Sequence, residues 1–120
     1  MTAGTLRGSL AAALPVAMRA RDRVAVSALR SALARIANRE AVSIDTIPRA
    51  GAIEQARLGA GAADAARRDL SEDEVRELVE AEVRERERAA AEVTAAGRPD
   101  VGETLLAEAA VLTAHLSAPG

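Results

Sequence analysis

One stretch constrains the fold more than any other. Residues 70–116 open on Leu70-Ser71-Glu72-Asp73-Glu74-Val75 and run through a long charged segment. They then reach Ala95-Ala96-Gly97-Arg98-Pro99-Asp100 and a second apolar-striped segment ending near Leu116. Ser71 with Glu74 three residues on is the capping-box pattern, in which each residue's side chain satisfies the other's backbone amide. Glu72, Asp73 and Glu74 place negative charge at the positive end of the helix dipole. Gly97 is the residue type that most easily takes the left-handed conformation ending a helix. Arg98 follows it in the turn, and Pro99 suits only the first turn of a new helix. Asp100 with Glu103 offers a second capping box. The segment therefore predicts a helical hairpin, and none of its residues looks like a reaction centre.

The remaining sequence extends that reading to an all-α fold of about four helices. Leu6, Leu10, Leu14 and Met18 recur at i, i+4 and predict a first helix from Thr5 to about Arg19, with a kink or break near Ala11–Leu14 because of Pro15. Asp22 is a candidate N-cap for a second helix reaching about Arg39, whose apolar face is Ala25, Leu29, Ala32, Leu33 and Ile36. The short connection predicts antiparallel packing. The third helix, 72–96, carries Val75, Leu78, Val79, Val83, Ala90 and Val93, and the fourth carries Leu105, Ala109, Leu112 and Leu116. The expectation is a single domain of two antiparallel hairpins, 5–41 and 70–117. Between them lies an irregular segment, 43–69, read as a linker or a functional loop.

The core available to such a fold is thin. The 120-residue chain has no Phe, Tyr or Trp, and Leu, Ile and Val together make up about a fifth of it. Aromatic residues are the largest single contributors to burial, so alanine must let the helices approach closely. The expectation is a marginally stable chain or one stabilised by a partner. No stretch approaches the ~18 apolar residues of a membrane span. Leu10–Val16 runs into Arg19, Arg21 and Arg23 rather than a small-residue cleavage site, so export is not expected. Zero cysteine fits a cytoplasmic protein.

Charge is unevenly spread. Residues 1–49 hold eight arginines against three acids, a balance of +5, and residues 50–120 hold eight against fifteen, a balance of −7. Arg19, Arg21, Arg23 and Arg30 gather at the junction of the first two helices. They form a candidate anion-binding cluster, unless they pair with the acidic face of the third helix. Along that helix, Glu72–Arg76, Glu80–Arg84 and Glu82–Arg86 are i, i+4 pairs, and the run around Arg84, Arg86 and Arg88 reads as a solvated ion-pair face.

Chemistry is sparse. Cysteine and lysine are absent, which removes two of the common nucleophiles. The one histidine, His115, sits in the last turn of the fourth helix, with Val111 and Leu112 at the positions where a second metal ligand would be useful. A surface or dipole-favoured role is set against a catalytic one. Gly59-Ala60-Gly61 lacks the strand before it and the Lys-Ser/Thr after it that a phosphate loop needs. Glu82 and Glu85 share a helix face, but arginines surround them, which argues against a raised pKa. No cofactor, metal site or small-molecule substrate is expected.

Two stretches carry a resemblance. Met18-Arg19-Ala20-Arg21-Asp22, Val26-Ser27-Ala28-Leu29-Arg30 and Asn38-x-Glu40 form the first. Leu70-Ser71-Glu72-Asp73-Glu74-Val75, the Ala96-Gly97-Arg98-Pro99-Asp100 turn, Glu103 and Glu108 form the second. Together they span about two thirds of the chain. In these motifs it resembles the YqeY-like family, named together with the tail of the GatB subunit of tRNA-dependent amidotransferases. Two departures are the length of 43–69, where the family has a short link, and the end at 116–120, where members continue into a further small helical region. The expectation is a short form without that tail. The resemblance implies a non-catalytic helical module contacting tRNA or an amidotransferase-like complex. A protein–protein adaptor with no RNA role is the alternative. The family name also carries a carbon–nitrogen ligase label with glutamine as amide donor. That chemistry requires a Cys nucleophile or a Ser–Lys arrangement that this chain lacks.

Overall fold

The computed structural model describes residues 4–45 and 70–118, with side chains described through residue 41 in the first of these stretches. It contains four helices: α1 Leu6–Ala20, α2 Arg23–Asp45, α3 Glu72–Ala95 and α4 Pro99–Ser117. The described residues include no strand. The fold is the expected pair of hairpins. In the first, Arg7 meets Glu40 at 2.5 Å and Arg30 reaches Met18 at 4.0 Å. In the second, Arg76 donates to the Leu116 carbonyl at 3.1 Å and Arg86 to Glu108 at 3.0 Å. Partners that converge in sequence toward each turn mark both pairs as antiparallel. α2 packs against both α3 and α4.

Local chemistry sets most of the boundaries. Ser71 Oγ accepts from the Glu74 amide at 3.1 Å, and Glu74 Oε1 accepts from the Ser71 amide at 3.0 Å, so the capping box is complete. Asp22 Oδ1 accepts from the Ala25 amide at 3.1 Å and caps α2. Gly97 has φ +92°. Around it the Arg98 amide donates to the Val93 carbonyl and the Gly97 amide to Thr94, the paired bonds of a Schellman cap. The same arrangement closes α1 at Arg21, where φ is +58°, with bonds from Arg21 to Met18 and from Asp22 to Ala17.

Three boundary expectations are corrected. Asp100 does not cap α4. Pro99, with its fixed φ, begins the helix, so Arg98 takes the N-cap position without a side-chain bond and Asp100 lies inside the first turn. The break expected near Ala11–Leu14 does not occur, and α1 is one helix through Pro15. Pro15 and Ala11 are both exposed, so water can take the carbonyl that the proline leaves unpaired. α2 continues to Asp45 rather than ending near Arg39, because nothing in Glu40–Asp45 stops a helix before Pro48. Residues 43–45, expected within the irregular segment 43–69, are thus helical, and residues 46–69 lie outside the described residues.

The core joins all four helices: Leu6, Leu10, Ala17, Ala25, Ala28, Leu29, Ala32, Ile36, Val75, Leu78, Val79, Val83, Ala109 and Leu112. Leu10, Ile36, Val79 and Leu112 are completely buried. Met18, expected on the α1 stripe, is instead 48% exposed, and Ala17 takes the buried place. Gly102 is buried where α4 crosses α3. A Cβ there would collide with Thr94 Oγ1 and stand 3.1 Å from the Ala90 carbonyl.

Candidate anion-binding surface

Two groups of charged residues have opposite fates. The first is drawn inside. Glu82, expected as half of a solvated pair, is buried at 7% exposure. Arg86, one turn on, pairs with it and extends its Nε to Glu108 on α4. From α2, Ser31 Oγ donates to Glu82 at 3.1 Å, and Arg35 reaches both Glu82 at 3.4 Å and Glu85 at 2.8 Å. Burial pushes the Glu82 carboxyl up. The hydrogen bond and charge of Arg86, with Ser31 and Arg35, outweigh that and hold it below its ordinary value of 4.5. This network ties α2, α3 and α4 together through Ser31, Arg35, Glu82, Arg86 and Glu108.

The other two expected pairs do not form. Glu72 turns to α1 and accepts from the Leu6 amide at 2.9 Å. Arg76 caps the end of α4 instead. Arg84 and Arg88 stay on the solvent side as expected. His115 is half-buried, and its Nδ1 shares a 2.7 Å hydrogen bond with Ser9 Oγ, tying α4 to α1. Among the described residues, no group of three His, Asp or Glu side chains could hold a metal ion, and no helix is long and apolar enough to cross a membrane.

The second group stays outside. Arg19, Arg21, Arg23 and Arg30 are all exposed. None forms an ion pair with a described residue. On α3, Glu82 and Glu85 pair with Arg35 of α2 and not with these four arginines. The α1–α2 turn brings Arg21 of α1's cap beside Arg23 and Arg30 of α2. With Met18, Val26 and Ser27 these three line a shallow groove of about 690 Å³. Arg30 extends over Met18, with its guanidinium 4.0 Å from the sulfur. Arg19 stands on the last turn of α1, outside this lining.

Met18 and its apolar neighbourhood are the part that sequence reasoning missed. The i, i+4 rule assigned Met18 to the core. Val16 is also exposed, at 57%. Comparison of the chain with protein-family models, curated proteins and solved structures finds no match.

Proposed function

We propose that this chain is a non-catalytic helical binding module that engages an anionic partner through the arginines of the α1–α2 turn. The observation that carries the reading is that Arg19, Arg21, Arg23 and Arg30 are exposed and form no ion pair with a described residue, while Arg35 and Arg86 are held in the ion network. Arginine left in water on a concave surface, without a carboxylate partner, is available for bidentate contacts to phosphate or carboxylate groups. The resemblance in the capping and turn motifs points the same way, toward tRNA or an amidotransferase-like protein complex in the cytoplasm. A protein adaptor with no RNA role is the second reading, favoured by the exposed Met18 within the groove. Carbon–nitrogen ligase chemistry is not assigned, because the chain has neither Cys nor Lys.

Binding of bulk tRNA at several salt concentrations tests the reading. Phosphate contacts make the affinity fall steeply with salt, and each lost contact lowers the log–log slope by somewhat less than one. The expected result is measurable binding at low salt and a shallower slope when Arg19, Arg21, Arg23 and Arg30 are all changed to Ala. No binding by tRNA or by any acidic protein partner overturns it.

A further inference from the structure

Resting on that reading, we infer that the groove at the α1–α2 turn is a docking site for an acidic amphipathic helix of a protein partner. The floor of the groove decides between partners. Arg23, Val26, Ser27 and Arg30 fall at i, i+3, i+4 and i+7 and so make one face of α2. At 1.5 Å per residue that face is about 10 Å long. Met18 and Arg21 supply the other wall. Along α2, Val26 stands between Arg23 and Arg30, and Met18 lies against the Arg30 guanidinium at 4.0 Å, so the apolar part of this surface is flanked by positive charge. A ligand that fills it needs an apolar side chain in the middle and negative charge on both sides. A helix carrying Leu or Met at one position and Glu or Asp about one turn away on either side has that pattern, and it meets the α2 face as helices meet grooves elsewhere. Met18 suits such a role, since its unbranched thioether adapts to different apolar partners. Arginine is the charged residue most often found at such contacts.

Nucleic acid fits the same surface less well. The net charge of the whole chain is −2, and α3 bears Glu72, Asp73, Glu74, Glu77, Glu80, Glu85 and Glu87. A long, densely charged backbone feels that field, while a short acidic segment held at the turn presents only the few charges that the arginines match. No aromatic residue is present to stack on a base.

The test uses fluorescence anisotropy of the full chain with four probes. They are a labelled synthetic helical peptide with one central Leu and Glu four residues to either side of it, a scrambled peptide of the same composition, poly-glutamate, and bulk tRNA. The expected result is that the amphipathic peptide binds at least tenfold more tightly than the scramble or poly-glutamate. Met18→Ser should weaken it about fivefold or more, Met18→Leu should preserve it, and the melting temperature should stay unchanged because Met18 is on the surface. If tRNA or poly-glutamate binds as well as the peptide and Met18→Ser has no effect, the surface recognises charge alone. That result overturns the helix-docking inference and leaves the anionic-partner reading standing. If no probe binds and the four-arginine variant behaves as wild type with all of them, both fail.

Discussion

Arg86 of α3 stands between two carboxylates, pairing with Glu82 one turn before it and donating Nε to Glu108 of α4 at 3.0 Å. Its side chain is only 12% exposed and those of both partners are 10–13% exposed, so the three charges depend on one another. Removing the cation leaves two carboxylates in a partly buried site, and breaking such a pair costs about 3–5 kcal/mol. Glu82 keeps Ser31 and Arg35, which places Arg86→Met toward about 3 kcal/mol. Urea denaturation of wild type and variant measures it. A loss under about 1 kcal/mol would mean the network is hydrated and dispensable.

The same network predicts an acid limit. The folded-state pKa of Glu82 lies below its ordinary value of 4.5. The unfolded state therefore takes up the proton first as pH falls. The contribution of Glu82 to stability is complete above the unfolded value and is lost as pH drops from about 4.5 through the lower folded value. Denaturation midpoints between pH 7 and 3 should show this decline. Glu82→Gln should be less stable at pH 7 and show a shallower fall below pH 5. An unchanged pH profile in the variant would assign the acid sensitivity elsewhere.

Gly102 gives a prediction that runs against helix propensity. Alanine is better than glycine inside a helix by about 1 kcal/mol, yet a Cβ at residue 102 meets Thr94 Oγ1 and the Ala90 carbonyl. Gly102→Ala should therefore lower stability by about 1 kcal/mol or more. In a Thr94→Ala background a good part of that loss should return, since the nearest atom has been removed. Additive losses in the double-mutant cycle would show that the crossing is not as close as the geometry requires.

How much of this was legible follows from what each signal depends on. Ser71, Asp22, Gly97 and Pro99 act through backbone groups within a few residues of themselves, so their roles could be read directly. Met18 failed for a geometric reason. Steps of four residues turn about 400°, so the sequence Leu6, Leu10, Leu14, Met18 drifts about 120° around the helix in three steps. Leu6, Leu10, Ala13 and Ala17 stay on one face, and alanine at the last two hid them. The burial of Glu82 could not be read at all. An i, i+4 Glu–Arg pair looks identical on an exposed and a buried face, and only the approach of Ser31, Arg35 and Glu108 from other helices distinguishes them. The arginine cluster was visible as composition. That it forms no ion pair with a described residue, while Arg35 pairs with α3, is a tertiary fact.

The last prediction separates stability from binding at one residue. Arg21 adopts φ +58° at the cap of α1, a conformation that costs a residue with a Cβ about 1–2 kcal/mol and that glycine adopts freely. Its side chain is exposed and lines the groove without an ion pair to any described residue. Stability alone therefore favours glycine at this position, and the arginine persists there against that preference. Strain held at such a point is a pointer to use. Arg21→Gly should raise the denaturation midpoint, by an amount equivalent to about 1 kcal/mol, while weakening the anionic partner. Arg21→Ala should weaken binding equally without the gain in stability, because alanine keeps the Cβ. If Arg21→Gly stabilises the chain and leaves binding of every anionic probe unchanged, Arg21 is a strained cap with no part in recognition, and the surface must be carried by Arg23, Arg30 and Arg19.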